Sequence, residues 1–99
     1  MTDFDKIRTW AHARNLIDGS TPEKQFVKLI EESGELASGI MKGRVEDVID
    51  GIGDMVVVLT ILSEMHGVSI EACIAYAYDE IKDRKGRMVD GVFIKEADL

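Results

Sequence analysis

Glu31-Glu32-Ser33-Gly34-Glu35 and Asp50-Gly51-Ile52-Gly53-Asp54 are the two stretches on which the fold of this chain is read. Residues three or four apart on a helix share a face, so Glu32 pairs with Glu35 and Asp50 with Asp54. If the two helices run antiparallel, the acidic pairs face each other. Like charges at these spacings cost an isolated helix roughly 0.2–0.5 kcal/mol per pair, a cost that a cation between them would offset. Donors that are all oxygen favour a hard divalent ion, Mg²⁺ before Zn²⁺.

Around Glu31–Glu35, Ser20 or Thr21 caps a helix that tolerates Pro22 in its first turn, with Glu23 completing a capping box. Phe26, Leu29, Ile30, Ser33, Leu36, Ala37 and Ile40 give it an apolar side. Gln25, Lys28, Glu32 and Glu35 line the neighbouring stripe, so the acids stand at the edge of a core where a site is half buried. The helix ends between Gly39 and Gly43, where Lys42 and Arg44 suit its C-terminal dipole. A third helix runs from about Val45 to His66, stopped by Gly67, and is apolar almost all the way round from Val48 to Met65. A helix apolar on every side is buried on every side. In so short a chain a second copy is the natural cover, which predicts a homo-oligomer, a homodimer or homotetramer.

Before this pair, Asp3 to about Leu16 reads as a first helix with a stripe of Phe4, Ile7, Trp10 and Ala11, followed by turn chemistry at Asp18-Gly19-Ser20. After it, Ser69 caps a fourth helix to about Lys85, with Ile70, Cys73, Ile74, Ala77 and Ile81 as its core stripe. Asp90-Gly91 between Met88-Val89 and Val92-Phe93 predicts a small hairpin, and Lys95–Leu99 is expected to fray. The expected architecture is therefore all-α: a four-helix bundle-like protomer with a short C-terminal β-hairpin, one domain over residues 1–99, assembled as a homo-oligomer.

Composition narrows the partners. The chain has 99 residues, 19 of them acidic against 12 Lys and Arg, for a net charge of −7, which argues against binding a nucleic acid polymer through a basic patch. The longest apolar run, Met55 to Leu62, is too short to span a bilayer. One cysteine permits no internal disulfide and no signal peptide is apparent, so the default expectation is cytoplasmic.

The order Glu31-Glu32-x-x-Glu35, then Asp50-x-x-x-Asp54, then an apolar run, resembles the MazG-like branch of the all-α nucleoside triphosphate pyrophosphohydrolases. Trp10, Asn15-Leu16, Gln25, Lys28 and the ending Lys82-Asp83-Arg84-Lys85-Gly86-Arg87-Met88 add to the resemblance, which covers roughly residues 7 to 95. It implies helical carboxylates that hold Mg²⁺, with Mn²⁺ as a substitute, and cleavage of a (deoxy)nucleoside triphosphate to the monophosphate and pyrophosphate. Glu32 and Glu35 match the second and third acids of the family's Glu-Glu-x-x-Glu, and Asp54 the last residue of its Glu-x-x-Asp. Gly51 stands where that second motif has Glu, and Asp50, one position earlier, shares the face of Asp54 in its place.

The implied roles are Glu32, Glu35, Asp50 and Asp54 for the metal and Glu31 or Glu35 as general base. Lys28, Lys82, Arg84 and Lys85 would hold the outer phosphates, Trp10 would stack on the base, and Asn15 or Gln25 would bond to sugar or base. Each has a plain counterpart. Acids at helical spacing decorate solvated faces, Trp10 is core or interface, Lys28 pairs with Glu32, and the Lys82–Arg87 cluster is a helix end favoured by the dipole. Asp54 resists that treatment, because it lies deep in a helix whose next residues are apolar and an unpaired buried carboxylate is costly. Two alternatives stand beside the general hydrolase: a base-specific dCTP or dUTP pyrophosphatase, and a non-catalytic oligomeric module that binds nucleotide or protein.

Overall fold

The computed structural model describes all residues, 1–99, as four helices and a hairpin. Helix α1 covers Asp3–Ala13, α2 Pro22–Met41, α3 Val45–Met65 and α4 Ile70–Ile81; strands β1 (Gly86–Val89) and β2 (Val92–Lys95) precede a short 3-10 turn, Glu96–Asp98. No helix is long and apolar enough to cross a membrane.

Local chemistry explains the boundaries. Thr2 opens α1 with a reciprocal capping box to Asp5, a cap that the sequence reading did not foresee. The helix stops at Ala13 rather than Leu16 because the chain turns through Asn15 at φ 56°, a left-handed conformation that a helix cannot contain. Thr21 caps α2 by accepting from the Lys24 amide, with Pro22 at the first helical position. The third helical position is thus Lys24, so Glu23 completes no capping box. Gly43 at φ +66° makes the tight turn into α3, and Gly67 at φ +71° follows its end. Asp90 and Gly91 both adopt positive φ, the requirement of a two-residue hairpin turn, and pair Val89 with Val92 and Met88 with Phe93.

The antiparallel pair α2–α3 is the most extensive packing in the protomer, with α1 and α4 laid on α3. Two glycines let the pair approach. A Cβ at Gly51 would lie 3.0 Å from Leu36 Cβ and 3.1 Å from its Cα, and one at Gly39 would lie 2.9 Å from Asp47 Cβ. Inside α3 the polar residues are satisfied, since Thr60 Oγ1 donates to the Val56 carbonyl at 2.7 Å and Ser63 Oγ to the Thr60 carbonyl at 2.8 Å.

The core of one protomer is small: Ala11, Val58, Ile61 and Ile70 are its buried hydrophobic residues. Within the protomer α3 is not covered all round, for Ile49, Ile52 and Leu59 remain exposed. On α4 only Ile70 of the expected core stripe is buried, while Cys73, Ile74, Ala77 and Ile81 are exposed, because the helix meets α3 chiefly through its first turns. It also ends at Ile81, not Lys85, and the last residues form the 3-10 turn instead of fraying, held by the Glu96 amide donating to the Lys85 carbonyl at 2.8 Å. The protomer exposes 7320 Å², against about 5600 Å² for a compact chain of 11.0 kDa. Its radius of gyration of 16.2 Å likewise exceeds the roughly 13 Å of a compact chain this long.

Candidate functional site

The close packing of α2 on α3 brings three carboxylates together. Oxygens of Glu32, Glu35 and Asp54 all lie within 4.8 Å of one another. Glu32 is buried, Asp54 half-buried and Glu35 exposed, so the group opens from the helix interface towards solvent. Asp50 is exposed and outside this triple, one turn before Asp54, and it lines a depression with Glu35 on one side and another with Asp54 on the other. Glu31 is exposed and outside the triple, its Oε2 3.8 Å from Lys28 Nζ.

The electrostatics of the triple are uneven. Lys28 Nζ, 3.2 Å from Glu32 Oε1, holds the Glu32 carboxyl below its ordinary value and is itself raised by that bond. Glu35 is pushed up by the adjacent Glu32 carboxylate, which favours the protonated form of Glu35 and repels its ionised one. Asp54 is pushed up by burial, then by the charges of Asp50 and Glu32. Lys28 answers only one carboxylate oxygen in full. The other, Glu32 Oε2, is buried without a hydrogen-bond partner, a costly condition for a charged acceptor. An orphaned anionic oxygen beside two further carboxylates is a donor set that fits a hard divalent cation.

The other expected substrate contacts divide. Trp10 lines a depression of about 440 Å³ with Lys6, Ile7, Asp54 and Val57, so α1 brings an indole beside the carboxylates. Arg14 covers that ring, its Cζ 4.6 Å from the centroid. Gln25 lies two turns before Glu32 on α2, and its amide donates to Ser20 Oγ at 3.1 Å. Asn15 is taken up in the turn after α1, where its carbonyl accepts from the Gly19 amide at 3.0 Å. Lys82 is tied to Asp79 at 2.7 Å, and Lys82, Arg84 and Lys85 line none of the depressions that hold Glu35, Asp50 or Asp54. Within one protomer the basic C-terminal segment is therefore not brought to the carboxylates. The cations that do share their depressions are Lys6, Lys42 and Arg44, which the sequence reading left as surface charge or dipole partners. Their signal was present only as positions flanking the site on neighbouring elements.

The MazG nucleotide pyrophosphohydrolase domain matches residues 20–89, which include every carboxylate of the group and most of the chain. An "Uncharacterized 18.2 kDa protein in rep-hol intergenic region" of Haemophilus phage HP1 (strain HP1c1) is 48% identical over 62 residues, 63% of this chain and 38% of that protein. The chain thus spans well under half the length of this curated relative. No solved structure matches it.

Proposed function

The chain belongs to the MazG nucleotide pyrophosphohydrolase family, and from that premise we propose that residues 1–99 form one domain that hydrolyses (deoxy)nucleoside triphosphates to the monophosphate and pyrophosphate in a Mg²⁺-dependent reaction, in the cytoplasm and as a homo-oligomer. The observation that carries the reading is the triple of Glu32, Glu35 and Asp54, oxygens within 4.8 Å of one another and one of them buried without a partner. Those three would hold the cation, with Asp50 at their edge. When bound, a hard divalent ion neutralises the triphosphate and polarises its α-phosphoryl group.

The chain's own residues have the remaining tasks. Glu35 is exposed at the mouth of the carboxylate triple, which suits a general base better than Glu31, which lies outside that triple. Glu35 takes a proton from the attacking water as the new bond forms from that oxygen to the α-phosphorus. The bond from the α-phosphorus to its bridging oxygen breaks, and pyrophosphate leaves with the electron pair. Arg14 covers one face of Trp10, leaving the indole's other face for the base, in the depression that Asp54 shares. The preferred base then depends on α1, not on the carboxylates.

Pyrophosphate release from a panel of triphosphates, with Mg²⁺ and with a chelator, tests the reading. Release from at least one triphosphate, lost with the chelator and reduced by about 10²-fold or more in Glu35→Ala, is the expected result. Release undiminished in that variant would overturn the site. No release from any triphosphate would favour the non-catalytic module.

A further inference from the structure

Three depressions lie end to end on one protomer and are joined by shared carboxylates. The first holds Trp10, Lys6 and Asp54; the second, about 770 Å³, holds Asp54 and Asp50; the third, about 260 Å³, holds the carboxylates of Asp50, Glu35 and Asp47 with Ser38, Lys42 and Arg44. An aromatic ring thus stands at one end, the acids in the middle and two cations at the other end. No hydrophobic side chain lines the third depression.

We propose that this third depression, between the C-terminal turn of α2 and the first turn of α3, is the subsite for the two outer phosphates of the triphosphate, with Lys42 and Arg44 as their counter-charges. The proposal rests on the function proposed above and assigns the phosphate tail to residues other than the basic C-terminal segment. Lys42 is uncommitted and Arg44 is held only by a long ion pair. No carboxylate lies within ion-pair distance of Lys42, and Arg44 Nη1 is 3.9 Å from Asp47 Oδ2, beyond hydrogen-bond reach. Lys28 and Lys82, by contrast, are held by Glu32 at 3.2 Å and Asp79 at 2.7 Å.

Direction follows from the helix. Lys42 is seven residues past Glu35, about 10 Å along α2, so a tail that begins at the carboxylates meets it by running away from Trp10. Arg44 is the N-cap of α3, which puts it at the mouth of the turn that follows Lys42. Three carboxylates, Glu35, Asp47 and Asp50, share the depression with the two cations, so the phosphates would enter it together with their own divalent cation.

The test is calorimetric titration of inorganic pyrophosphate with Mg²⁺ into the full chain, its Lys42→Ala, Arg44→Ala and double variants, and Lys24→Ala as a charge-matched control, alongside steady-state hydrolysis. Each of the first two substitutions should weaken pyrophosphate binding about tenfold, the loss of one charge-assisted contact, and raise KM more than it lowers kcat. Lys24→Ala should bind as wild type, and Lys42→Arg and Arg44→Lys should recover most of the affinity with unchanged thermal unfolding. Pyrophosphate bound as tightly by the double variant as by wild type, or not bound by wild type, overturns the proposal. A wild type that binds pyrophosphate through these residues yet cleaves no triphosphate upholds the subsite and rejects the hydrolase. Cleavage that is indifferent to both substitutions does the reverse.

Discussion

Gly51 departs from the motif that its neighbours follow, and at the scale of single residues it has a packing reason to be glycine. A Cβ there meets the backbone of Leu36 at 3.1 Å, and backbone does not yield as a flexible side chain does. Gly51→Ala should cost about 1–3 kcal/mol by overpacking, more than the gain of up to about 1 kcal/mol in helix propensity, and Gly51→Glu should cost at least as much instead of restoring a ligand. Gly34, where an added Cβ meets nothing within 4 Å, is the control: Gly34→Ala should stabilise by about 0.5–1 kcal/mol, and urea unfolding measures all three. The carboxylates carry a second expectation. An acid whose folded value is raised is a source of stability below its unfolded value, lost as pH rises through the folded one, so Asp54 opposes folding at neutral pH when no cation is present. Asp54→Asn should therefore raise the melting temperature at pH 7 in chelator while abolishing hydrolysis. That Glu32 and Glu35 share a face was legible from spacing alone; that Asp54 of α3 joins them and that Glu32 Oε2 is left without a partner were not, because they depend on how α3 packs on α2 and on which side of Glu32 Lys28 approaches.

Among the elements, α4 depends on its N-terminal turn for attachment. Arg8 of α1 makes a two-pronged bond to the Glu71 carboxylate, Nη2 at 2.8 Å from Oε2, and also holds Asp5 Oδ1 at 2.6 Å. It keeps the Asp5 carboxyl at about 2 and Glu71 below its ordinary value. Lowered carboxyls stabilise the fold above their unfolded values, 3.8 and 4.5, and lose that contribution as pH falls through the folded ones. The wild type should therefore lose stability from about pH 4.5 downward more steeply than Arg8→Ala, as read by thermal unfolding across pH 2–6. The helices themselves were legible from period, caps and glycines, and α3 formed as a helix despite its Val56-Val57-Val58 run. The failures came at their ends. Asn15 turned α1 early, and α4 stopped at Ile81, where its apolar stripe ends, rather than at about Lys85, because termini answer to turn geometry and to neighbours.

For the molecule as a whole, the exposed area exceeds that of a compact chain by about 1700 Å², and the expectation is that a second copy covers part of it. Leu59 and Ile74, exposed on α3 and α4, border the apolar depression between those helices, and α4 beyond Ile70 has no buried residue. Sedimentation at micromolar concentration should give a whole-number multiple, two or four, of 11.0 kDa. Leu59→Asp should shift it towards monomer and lower the melting temperature, since burying an unpaired carboxylate costs several kcal/mol or about that much in lost association. A wild-type chain that stays monomeric and melts sharply would contradict the oligomer. The amino-acid sequence by itself determined the four helices, the hairpin turn and the spacing of the acids along each helix, because caps, glycines and side-chain periods act over a few residues. Only the tertiary structure decided that Asp50 stands at the edge of the carboxylate triple, that the basic C-terminal segment lies away from it and that Lys42 and Arg44 lie beside it. Those relations depend on how closely two helices approach, and contact across a helix pair is not written in the spacing of either one.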